Sequence, residues 1–85
     1  MLDGPERQTF QALENLSALL TGAGGSLADV LQVTVLVSDL AYRSSVQTAW
    51  SRVFPDRGDR PALSIMRLGV PGRDTLVQVH AIAVL

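Results

Sequence analysis

The chain has 85 residues, enough for one domain, 1–85, with a thin core, because a body this small leaves much of its surface in water. Seven basic against eight acidic residues leave a net charge of −1, which offers no cationic footprint for a phosphate backbone and excludes nucleic acid as an expected partner. Cysteine and lysine are both absent and histidine occurs once, so disulfides, thiolate nucleophiles, Schiff-base lysines and multi-histidine metal sites drop out, and no cofactor or metal is expected.

Hydrophobic residues make up 47% of the chain, an excess that suggests apolar surface intended for a partner; a greasy small core is the alternative. No apolar run approaches the ~18 residues of a membrane span. The opening Met1-Leu2-Asp3-Gly4-Pro5-Glu6 lacks the basic stretch and apolar core of a signal peptide. The expectation is a cytoplasmic protein with no membrane contact.

Asp3-Gly4-Pro5-Glu6 reads as a helix start: Asp3 or Gly4 can cap, Pro5 suits the first turn, and Glu6 suits the positive end of the dipole. Phe10, Leu13, Leu16 and Leu20 then form a stripe at helical spacing. Thr21-Gly22-Ala23-Gly24-Gly25-Ser26 ends the helix, and no Gly-Lys-Ser/Thr follows to make it a phosphate loop. Val30 to Val37 is the clearest strand, with Val33, Val35 and Val37 alternating against Gln32, Thr34 and Leu36. Ser38-Asp39 turns into a second helix carrying Val46, Trp50, Val53 and Phe54, which stops at Pro55. Trp50 falls on the core side of that helix by its spacing. Asp56-Arg57-Gly58-Asp59-Arg60-Pro61 is a solvated loop; Asp56 and Asp59 begin like a calcium loop, but the rest of that pattern is missing. Two short strands follow, about Ala62–Leu68 and Thr75–Val84, separated by a turn around Pro71-Gly72. The predicted order is α-β-α-β-β, an α+β fold with two helices on one face of a three-stranded sheet and nothing on the other.

Five stretches resemble the Rid (YjgF-type, reactive-intermediate deaminase) family, also known as endoribonuclease L-PSP-like proteins. They are Gln8 to Leu16, Ala23 to Val30, Val33 to Leu40, Pro61-Ala62-Leu63-Ser64, and Val77 to Val84. The last two fall where the family writes Pro-Ala-Arg-Ser and Ile-Glu-Ile-Glu-Ala-Ile-Ala-Val. No one stretch decides the matter, but five in the right order do. The resemblance implies a chorismate-mutase-like fold, a homotrimer joined through the bare sheet face, and small-molecule clefts between subunits. In the family's deaminases a guanidinium clamps the carboxylate of a 2-imino acid or its enamine tautomer, and a held water attacks the imine carbon and releases ammonia.

Three departures alter that implication. Leu63 replaces the family arginine, and leucine cannot hold a carboxylate. Arg60 and Arg67 are the nearest guanidiniums, and the strand period puts Arg67 on the face of Leu63, with Ile65 between them lining the same cleft. His80 replaces the last family glutamate, and Gln78 the one before it. A histidine there can orient water or take a proton, which makes His80 the candidate catalytic residue; a histidine satisfied by a carbonyl at a subunit seam is the alternative. Third, the family's N-terminal strands have no counterpart before the first helix. A start placed late, a companion chain that donates those strands, or a new edge-to-edge assembly would each account for that, since the last strand otherwise stands as an unblunted edge. The resemblance therefore implies a weakened or altered imine deaminase (a hydrolase), or a non-catalytic ligand-binding or assembly module. RNA cleavage is disfavoured by the acidic balance and the lone histidine.

Overall fold

The computed structural model describes residues 4–56, 58, 60–67 and 76–85. Asp3, the turn predicted at 69–74, and the outer ends of the last two predicted strands (68 and 75) lie outside them.

Helix α1 spans Pro5–Gly22 and begins as its sequence directs: Gly4, in extended backbone, occupies the capping position without a side chain, and Pro5 takes the first turn. Leu13 and Leu20 of the predicted stripe are buried, while Leu16 packs half-buried against the core. Thr9 is fully buried too, and its hydroxyl donates to the Pro5 carbonyl at 2.7 Å, which satisfies the polar group inside the fold. At the far end Gly24 adopts φ +88, the left-handed conformation that glycine enters most easily. The Gly25 N–H then reaches back to the Leu20 carbonyl at 2.8 Å, closing the last turn.

A single helical turn at Leu27–Asp29 follows, capped by Ser26 and Asp29 reciprocally: the Ala28 N–H donates to the Ser26 hydroxyl, and the Ser26 N–H to the Asp29 carboxylate at 2.8 Å. Strand β1, Val30–Val37, has the bounds its alternation predicts. The Asp39 carboxylate accepts from the Ala41 N–H at 2.9 Å and steers the chain through Leu40–Tyr42 into α2, Arg43–Val53. That helix ends at Phe54, directly before Pro55, where a proline disfavours helical backbone in its predecessor. Val46, Ala49 and Trp50 are buried, and the Trp50 and Phe54 rings lie 4.5 Å apart in a tilted stack.

Strands β2, Ala62–Arg67, and β3, Val77–Ala83, complete the sheet. The strand order is β2-β1-β3, with β1 parallel to β2 and antiparallel to β3. The parallel pairing requires a crossover, which α2 provides. Both helices pack on the side of β1 that carries Val33, Val35 and Val37, all fully buried. A bond between distant parts of the chain joins the layers: the Leu76 N–H donates to the Gln8 side-chain oxygen at 2.8 Å. Beyond β3, Val84 leaves the sheet, and its N–H bonds the Asp29 carbonyl.

Candidate functional site

Side-by-side residues of paired strands project from the same face of a sheet, so the register decides which functional side chains can meet. Three rows cross the face away from the helices. Ala62, Gln32 and Ile82 form the first, Ser64, Thr34 and His80 the second, and Met66, Leu36 and Gln78 the third. His80 is exposed in the middle row, and Gln78 is half-buried. The Gln32 amide donates to the Thr34 hydroxyl at 3.2 Å, which organises the polar centre of this face. Ile82 and Met66 stand 59% and 56% exposed on it, with Leu31, at the β1 irregularity, 58% exposed nearby. His80 is the only ionisable residue in those three rows.

Leu63, Ile65 and Arg67 lie in the other register, beside Val33, Val35 and Val37, on the helix side. Leu63 and Ile65 are half-buried against the core, and Arg67 is exposed at the strand's end. The five residues read from the sequence as one cleft therefore divide: Leu63, Ile65 and Arg67 face the helices, Gln78 and His80 the open side. Within one chain they do not converge. Arg67 does share the face of Leu63, as the strand period predicts.

What adjoins Leu63 is different. A cavity of about 370 Å3 lies between α2 and the start of β2, lined by Gln47, Trp50, Ser51, Arg60, Pro61 and Leu63. A hollow of about 170 Å3, which shares Gln47 and Leu63, extends along the strand to Arg43 and Ile65. Arg60 sits where the loop passes the end of α2, and its Nη2 donates to the Phe54 carbonyl at 2.9 Å. In the sequence Arg60 stands out only by its nearness to Leu63. Strand periodicity cannot place a residue that precedes the strand; the free carbonyl at the helix end, which attracts a guanidinium, was the available signal. Among the described residues no three His, Asp or Glu side chains gather as metal ligands, and no helix is long and apolar enough to cross a membrane.

Two helices over one face of a three-stranded mixed sheet, with the opposite face uncovered by any of the described residues, define the class of the molecule: a two-layer α+β unit. The sequence profile of the endoribonuclease L-PSP family matches residues 2–85, and the chain belongs to that family. Solved structures share the fold. A candidate endoribonuclease from Thermotoga maritima superposes with a TM-score of 0.87 at 36% identity, over 100% of this chain and 65% of its own. A Mycobacterium tuberculosis member of the YjgF/YER057c/UK114 family gives 0.90 at 27% identity, over 98% and 70%. The YjgF gene product of Escherichia coli gives 0.81 at 29% identity, over 93% and 63%.

Proposed function

We propose that this chain forms the core of a cytoplasmic, self-associating small-molecule-binding protein, a homotrimer closed through the open sheet face with ligand clefts between copies. The observation that carries this reading is the unequal sheet. One face is sealed by two helices, while the other presents Ile82 and Met66 more than half exposed and no carboxylate or guanidinium in its three rows. Such a surface is one that association would cover.

Kinship with the Rid deaminases supports imine or enamine hydrolysis as the parent chemistry: water adds to the imine carbon, the C–N bond breaks, and a ketone and ammonia leave. With Leu63 in place of the clamping arginine, this chain would hydrolyse imines weakly. An amino-acid oxidase that generates the imine, coupled to ammonia detection, tests the point. Little acceleration is expected from the natural chain and a clear gain from Leu63→Arg. A strong natural rate that Leu63→Arg does not exceed would refute the impairment.

A second reading, a non-catalytic binding or assembly module, is favoured by the separation of His80 from Leu63 on opposite faces. In that case a companion chain would supply a strand to the outer edge of β3. Co-purification with such a chain supports it, and a stable homotrimer alone counts against it.

A further inference from the structure

We propose that His80 makes association through the open sheet face pH-sensitive: copies join with its imidazole neutral, and protonation drives them apart. This rests on the proposed function in taking other copies of the chain as what covers that face. His80 stands in the middle row on β3, beside Thr34 of β1 and with Ser64 of β2 beyond it. In the single chain it is exposed, so water solvates either form of the ring. Its polar neighbours in the three rows are Gln32, Thr34, Ser64 and Gln78, all uncharged, and the remaining row positions are apolar. No counter-ion waits there for an imidazolium.

The charged groups of the surrounding elements are turned elsewhere. Glu6, Arg7, Glu14, Arg43 and Arg52 belong to the helices, which pack on the opposite side of β1. Arg67 lies in the other register of β2. At the two ends of β1, the Asp29 carboxylate is engaged by the Ser26 N–H and that of Asp39 by the Ala41 N–H. Covering the face strips water from the ring. A neutral imidazole can exchange a hydrogen bond with the Thr34 hydroxyl, whereas a charged one without a carboxylate is costly to desolvate. Closed symmetry repeats the same patch in every copy, so protonation also sets like charges along the seams. The assembled state therefore binds the His80 proton more weakly than the single chain does. Association is then strongest above the ordinary histidine range and is lost as the pH falls through it. With one histidine and neither cysteine nor lysine in the chain, no other side chain ordinarily changes charge between about pH 5 and pH 8.

Sedimentation equilibrium of the full chain at about pH 8 and about pH 5.5 tests the proposal. Association is expected to weaken about tenfold or more at the lower pH, as a change of one unit in proton affinity predicts. His80→Gln should associate equally at both values. That variant keeps every other titratable group, including Arg73 and Asp74, which lie outside the described residues. The urea midpoint of the dilute, unassociated chain should be the same at both values, which separates loss of association from acid unfolding. Association that is equal or stronger at the lower pH, or a weakening that His80→Gln retains, overturns the switch and leaves the assembly standing. A chain that stays monomeric at both values and at high concentration overturns the proposed assembly itself, and the switch with it.

Discussion

The two faces of one sheet carry different kinds of information. On the helix side β1 presents Val33, Val35 and Val37, each fully buried beneath α1 and α2. On the open side the same strand presents Gln32, Thr34 and Leu36, half-buried, beside exposed Ile82, Met66 and His80. The first face stabilises the single chain; the second contributes little to it and is left for whatever the chain meets. Stability and association can therefore be perturbed separately, because alternate residues of one strand serve each.

The largest effect is expected from the sealed side. Leu13→Ala opens a cavity at a fully buried position, at a cost of about 3 kcal/mol read from urea unfolding. Thr34→Ala on the open side should leave the unfolding midpoint of the isolated chain nearly unchanged, and a comparable loss there would erase the distinction between the faces. Next in size is Ile82→Asp, which places a carboxylate on the open face. Association measured by sedimentation equilibrium should weaken about tenfold or more while the monomer's unfolding stays put. Gln8→Leu removes the acceptor of the Leu76 N–H and should destabilise by about 1 kcal/mol, with faster amide exchange at Leu76 as its local sign. The smallest effect belongs to Arg52→Ala. Arg52 lies 3.6 Å from Glu6 with 64% of its side chain exposed and 5.3 Å above the Phe10 ring. Water screens both contacts, so a change beyond about 0.5 kcal/mol would be unexpected.

How much was legible differs by element. Val30–Val37 could be read to its exact bounds because β-branched alternation and a polar stop at Ser38-Asp39 agree at every position. The helices were equally plain: Pro5 marks one start, the glycines after Thr21 one end, and Pro55 another. Five short stretches in order were enough to reveal the family. The site was less legible. Strand periodicity correctly put Leu63, Ile65 and Arg67 on one face and Gln78 with His80 on one face. It carries no information about whether those two faces are the same.

Local patterning in the chain was thus sufficient for the elements, their order, the buried stripe of each helix and the family. These depend on backbone preferences and on the spacing of apolar residues within some twenty positions. Tertiary structure alone decided that β1 is central between a parallel and an antiparallel neighbour, that His80 and Leu63 point opposite ways, and that Arg60 meets the Phe54 carbonyl. Each of those facts is a register or a contact between segments remote in sequence. Hydrogen bonding between strands admits many such registers, and only the packing of both helices on one valine-lined face selects among them.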